Sequence, residues 1–207
     1  LGDPKGRPDK PLPEYVARNR LPQVGESGGE ALASASVQVP IEALGSRAAA
    51  IGHLNANADI DGGIRAEPLV LRYYDMFFPS LSLLVAAKSL NLGPADVKAR
   101  LGEEVRLGNL RIPTDNLTQM NTYFYRDHGD KPAFPVDSFY DVLSGKIPAS
   151  KYQDKIVLIG ATAAGVGAAQ VTPVSPAMPP VLTLAHSVSS ILQEHFFVTP
   201  SWGGYAS

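Results

Sequence analysis

Lys155-Ile156-Val157-Leu158-Ile159-Gly160 is the stretch that decides the fold class. Its aliphatic run is mostly β-branched, too short for a helix, and closes on glycine, so it reads as a strand buried on both faces. Such a strand needs helices to cover it. Downstream, a loop from Ala161 to Pro180 leads to Val181–Phe196, where Leu184, Val188, Ile191 and Leu192 fall on one side of a helix. Upstream, Asp137–Ser144 reads as a helix stopped at Gly145. Helices alternating with buried strands predict an α/β domain, a mixed β-sheet with helices packed on its faces.

Further toward the N-terminus, Ala66–Tyr73 predicts a strand in which Leu69 and Leu71 point opposite to Val70 and Arg72. Ala48–Asn55 predicts another, entering the core. Between them Asn57-Ala58-Asp59-Ile60-Asp61-Gly62-Gly63 has the composition of a hairpin connection. Pro79 followed by residues up to Leu90 predicts a helix with Leu83, Leu84, Ala87 and Leu90 as its stripe, and Gly93-Pro94 ends it. Pro94–Leu101 is expected to form another short helix. Glu104–Ile112, with a turn at Gly108-Asn109, and Asn121–Tyr125 are expected strands. Residues 1–30, with Pro4, Pro8, Pro11, Pro13 and Pro22, read as an extended arm or linker; 31–200 read as the folded domain and 201–207 as a tail.

Composition narrows the function. The 207 residues carry 18 basic and 20 acidic side chains for a net charge of −2, and no basic block stands out, which excludes nucleic acid as a partner. The chain has no cysteine, so disulfides, thiolate metal sites and cysteine nucleophiles are excluded. Eighteen prolines and nineteen glycines imply many turns and argue against an all-helical bundle. No apolar run reaches the roughly 18 to 20 residues that span a bilayer.

The loop after the buried strand, Gly160-Ala161-Thr162-Ala163-Ala164-Gly165-Val166-Gly167, sits where α/β folds place ligands. It lacks the Gly-Lys-Ser/Thr ending of a phosphate-binding loop and the spacing of a dinucleotide fingerprint. Gly160, Ala161, Thr162, Gly165 and Gly167 are therefore candidates for bordering a pocket rather than for cradling phosphate. His186 joins them as a pocket candidate on the last helix. The four histidines, His53, His128, His186 and His195, share no metal-binding spacing, and exposed or capping roles are the plainer reading. Asn57, Asp59 and Asp61 before Gly62 imitate the opening of a calcium loop, but Pro68 stands where the closing glutamate belongs, so a tight turn is favoured. Ser138 and Asp141 lack the nucleophile elbow that would make them hydrolase residues. The aromatic residues Tyr73, Tyr74, Phe77, Phe78, Tyr123, Phe124 and Tyr125 are expected mainly in the core, with a pocket or interface as the other use. No catalytic constellation and no cofactor site emerges.

In sequence order these pieces resemble the second type of CHASE domain, the extracellular sensory modules of cyclases and histidine kinases. Ile51–Asn55, Asp59–Arg65 and Pro68-Leu69 are similar to that family's hairpin pattern, and Phe78–Leu83 to the helix start after it. Ile112–Asp115, Phe134–Phe139, Gly145–Pro148, and Lys155–Gly167 with Thr172-Pro173 resemble its later signatures. Ala168 replaces an acidic residue common in the family, and Leu182 and Leu184 stand where a Glu-x-His pair is frequent, which implies a more apolar pocket. The resemblance implies that a strand, helix and strand normally precede the pieces found here, so the N-terminal portion of the family domain is expected to be missing. It further implies a bacterial inner-membrane receptor with this domain on the extracytoplasmic side, anchored in the membrane through segments outside this sequence. Its partner would be a small ligand or an envelope protein, and its output an adenylate or guanylate cyclase or a kinase. Trp202 and Tyr205 suit the water–lipid boundary. The alternative is a structural or homodimerising envelope module without a small ligand.

Overall fold

The computed structural model describes residues 11–163 and 166–197. In chain order its elements are α1 (Glu14–Ala17), β1 (Val24–Glu26), β2 (Leu32–Ser34), α2 (Glu42–Gly45), β3 (Ala66–Pro68), β4 (Val70–Tyr73), β5 (Met76–Pro79) and α3 (Leu81–Ser89). They continue with β6 (Val97–Leu101), β7 (Glu104–Leu107), β8 (Leu110–Pro113), β9 (Gln119–Asn121), α4 (Phe139–Leu143), β10 (Gln170–Thr172), β11 (Ser175–Met178) and α5 (Pro180–Leu192). Parallel and antiparallel pairs coexist with packed helices, which makes this an α/β fold.

The largest sheet runs β1-β6-β7-β8, with β1 parallel to β6 and the rest antiparallel. Val97, Ala99 and Leu101 face inward while Lys98 and Arg100 face solvent. This two-residue alternation overrides the short helix expected over Pro94–Leu101; only Pro94–Asp96 forms a single 3₁₀ turn. A second sheet runs β2-β4-β5, and β3 pairs antiparallel with β9. The strand expected over Ala66–Tyr73 is thus two strands serving two sheets. Between them Leu69 turns its backbone elsewhere, donating to Thr118 O at 3.1 Å and accepting from Ser80 N at 2.9 Å.

α3 and α5 pack on each other and on the sheets. Leu69, Leu83, Val97, Val105, Ile112, Met120 and Ile191 are fully enclosed at the centre. α3 is capped by Ser80, whose Oγ accepts from Leu83 N at 3.2 Å. α5 opens with Pro180 in its first turn and stops at Leu192, four residues short of the expected end, where Glu194 adopts a left-handed φ of 55°. Its buried face is more polar than the expected apolar stripe. Val188 and Ile191 are buried as anticipated, but Thr183, His186, Ser187 and Ser190 are buried with them, while Leu184 and Leu192 are only partly covered.

The stretch read as an arm enters the fold early, since α1 and β1 both lie within it. Leu21 N donates to Phe77 O at 2.8 Å and Val24 pairs with Ala99, tying this region to both larger sheets. Residues 1–10 and the tail 201–207, including Trp202 and Tyr205, lie outside the described residues. Ala48–Asn55 forms no strand; only His53 makes an isolated bridge, to Ser80. The hairpin expected between 48 and 73 therefore does not form, although its glycine-rich tip is a tight turn closed by Gly62 N to Asp59 O at 2.9 Å.

The inner strand expected at Lys155–Gly160 is also corrected. No strand runs beside it among the described residues, and Ile156, Val157 and Ile159 are exposed, Ile159 at 78%. β-branched composition gives a segment the capacity to pair but supplies no partner. Gly160 is nevertheless positioned: a side chain there would meet Val181 Cβ at 2.6 Å, so the segment ends hard against the start of α5.

This contrast fixes an expected outcome. Ile112→Ala removes a fully buried side chain and costs about 1–5 kcal/mol in chemical denaturation, whereas Ile159→Ala costs about 0.5 kcal/mol or less. Equal losses would show that 155–160 is packed in solution.

Candidate functional site

The main cleft forms where residues 122–134 run along α5. A backbone edge and a helix do not share hydrogen-bonding geometry, so helix side chains do the joining. Tyr123 N donates to Ser190 Oγ at 2.9 Å, that hydroxyl donates to Tyr123 O at 3.2 Å, and Tyr125 N donates to His186 Nδ1 at 3.1 Å. Ser190 and His186 on α5 thus act as a substitute strand, which accounts for their burial on its inner face.

Two adjoining lobes open along this seam. The first, about 780 Å³, is lined by Tyr123, Tyr125, Phe134, His195 and Phe197, with Pro173 and Val174 on the far side. The second, about 610 Å³, shares Tyr125, Phe134 and Pro173 and reaches Met178, Leu182 and His186. Arg126 stands at both. Tyr125 and His186 stack at 9° and 5.9 Å, Phe134 meets the His186 ring edge-on at 4.8 Å, and Tyr123 stacks on Phe197 at 5.5 Å. Offset and edge-on rings of this kind make a rigid, mostly apolar wall with few polar handles.

Burial fixes the chemistry of the histidine. His186 is 2% exposed, and desolvation pushes it down to about 4, with Asp127 opposing weakly. Because Tyr125 N–H occupies Nδ1, the ring proton of the neutral form belongs on Nε2, leaving one donor in the wall. Tyr125 OH lies 3.0 Å from His195 Nδ1, and burial raises its pKa.

Among the expected pocket residues, His186 is in this cleft. Gly160, Ala161, Thr162 and Gly167 line neither lobe and are exposed; the loop's place at the cleft is taken by Pro173 and Val174. Gly165 lies outside the described residues. The acidic turn does not converge on a cation: Arg65 takes Asp59 at 2.6 Å and both oxygens of Asp61, while Asn57 Nδ2 donates to Gln119 Oε1 at 3.0 Å. Ser138 precedes α4, and Asp141 on that helix pairs with Lys146 at 3.2 Å. Tyr73 and Phe78 pack in a satellite core with Val16, as expected of aromatics. Sequence reasoning passed over Phe134, Arg126 and Phe197. The available signal was the Tyr123/Tyr125 alternation, which puts two rings on one side of an extended chain.

With these elements in place, comparison of sequence shows the model of the CHASE2 domain matching residues 3–206. The chain belongs to the CHASE2 family. CHASE2 domains are sensory modules, and catalysis is not their role. No curated protein and no solved structure matches the chain. Among the described residues of this CHASE2 domain, no helix is long and apolar enough to cross a membrane.

The histidine environment is testable. Imidazole ¹⁵N spectra should hold His186 in one neutral form until it protonates near 4. An unfolded histidine takes its proton near 6.5, so the contribution to stability is complete above that pH and is lost as pH falls toward 4. A midpoint at or above 6.5 would place the ring in solvent.

Proposed function

We propose that this CHASE2 domain is the extracytoplasmic sensor of a membrane-anchored bacterial signalling protein. A small ligand or an envelope protein binds at the aromatic cleft, and the change is relayed to a cytoplasmic cyclase or kinase. The observation that carries this reading is the double duty of α5. One side of it holds the cleft through His186 and Ser190, and the other is locked into the core by Ile191. A ligand that prefers one arrangement of the cleft wall therefore biases the position of a core helix. Family membership supports the reading, and the exposed segment Lys155–Gly160 has no part in it.

A structural or self-associating role is the second reading, favoured by the exposed side chains Phe139, Tyr140, Leu143, Ile156, Val157 and Ile159. The two separate in the intact receptor. Phe134→Ala combined with His186→Ala should abolish the response while leaving basal output, and inserting one or two residues after Phe197 should change basal output. An unchanged response in the double variant, together with lost assembly on substituting Tyr140 and Ile159, favours the structural role.

A further inference from the structure

Glu67 is the middle residue of β3, paired with Met120 of β9, and its carboxyl is held by two helices. Ser82 Oγ, in the first turn of α3, donates to Oε1 at 2.6 Å. Ser187 Oγ, in the middle of α5, donates to Oε2 at 3.3 Å. The chain of hydroxyls extends both ways: Ser80 Oγ, the cap of α3, lies 2.8 Å from Ser82 Oγ, and Thr122 Oγ1 lies 3.4 Å from Ser187 Oγ. Ser80, Ser82, Thr122 and Ser187 are all buried. One carboxyl thus links the start of α3 to the helix that walls the cleft.

The direction of these bonds depends on one proton. An ionised carboxyl only accepts, so Ser82 and Ser187 both donate to it and Ser80 donates to Ser82. When Oε2 gains a proton, that oxygen becomes the donor, Ser187 becomes the acceptor, and the Ser187 proton turns to Thr122 Oγ1. The bond from Ser82 to Oε1 is unchanged. The contact to α5 alone reverses.

We propose that Glu67 is a proton-operated joint, by which acidification of the surrounding medium changes how α5 is held against β3 and thereby the seat of His186 in the cleft. The joint acts whatever occupies the cleft. Glu67 as a residue is only partly buried, but desolvation of its carboxyl among these hydroxyls pushes it up to about 7, with Ser82, Ser187 and Ser80 opposing. The titratable neighbours on the packed elements are His53, which bridges to Ser80, and His186, beside Ser187; desolvation lowers each to about 4. β9 presents Gln119, Met120 and Asn121, α3 carries its one charged residue, Lys88, exposed in its last turn, and Arg65 is engaged by Asp59 and Asp61.

The test is an NMR titration of the whole chain across neutral pH, following the Glu67 carboxyl carbon and the amides of Ser82, Ser187 and Tyr123. All four should share one midpoint near 7. Glu67→Gln should flatten the three amide curves. Ser187→Ala should keep the carboxyl and Ser82 transitions but silence Tyr123, a separation that remains available if the glutamine variant does not fold. The sign for stability is set by a folded value raised above the unfolded 4.5: the contribution is full below 4.5 and is lost as pH rises through about 7. The wild-type folding constant divided by that of Glu67→Gln should accordingly fall up to about tenfold per pH unit across that window. A carboxyl midpoint near 4.5, amide transitions that persist in Glu67→Gln, or Tyr123 titrating unchanged in Ser187→Ala would each overturn the proposal.

Discussion

The fold depends on how α5 is satisfied on its polar side. A helix that buries serine and histidine must find partners for them or forfeit about 1–3 kcal/mol for each stranded group. Here the partners are the Glu67 carboxyl on one side and the backbone of Tyr123 and Tyr125 on the other. Those bonds set both the rotation of the helix about its axis and its distance from the neighbouring chain. The apolar contribution of Val188 and Ile191 anchors the same helix in the core without dictating that rotation.

The cleft follows from this arrangement. Side chains cannot reproduce the regular ladder of a true neighbouring strand, so the seam between 122–134 and α5 is incompletely filled, and aromatic rings occupy its rim. Under the proposed function the rim is the surface whose occupancy is felt in the core. The small side chains Ala86 and Ala87 of α3 are buried in that core and leave little room between helices, so a displacement of α5 is passed on rather than absorbed.

Legibility in the sequence divided along physical lines. The two longer helices, α3 and α5, are readable because each repeats its apolar positions over more than two turns and has a distinct start, as at Ser80 and Pro180. The class of fold holds although Lys155–Gly160, the strand from which the sequence predicts it, does not form, because other strands pair beside these helices. Strands that depend on remote partners were less readable: Ala66–Tyr73 looked continuous because nothing local shows that Leu69 must serve Thr118 and Ser80 at once. Over Pro94–Leu101 the helix-start signal of Gly93-Pro94 extends only through a 3₁₀ turn to Asp96, and the two-residue alternation of Val97–Leu101 prevails. At the site, the sequence marks His186 and, as one of two uses, Tyr123 and Tyr125, but not Phe134 or Phe197. Phe134 lies nine residues past Tyr125 and Phe197 lies past the end of α5, and only the seam brings them together.

The displaced segment at 155–160 has a consequence for handling the molecule. Aliphatic side chains on an extended backbone without a neighbour form a template on which any similar stretch can lay itself, including that of another copy. Asp154 and Lys155 stand at one end, Lys151 being paired with Asp137, and charges placed beside such a stretch discourage stacking. At the other end the chain offers only alanine, threonine and glycine. Salt that screens Asp154 and Lys155 weakens that guard and leaves the attraction in place.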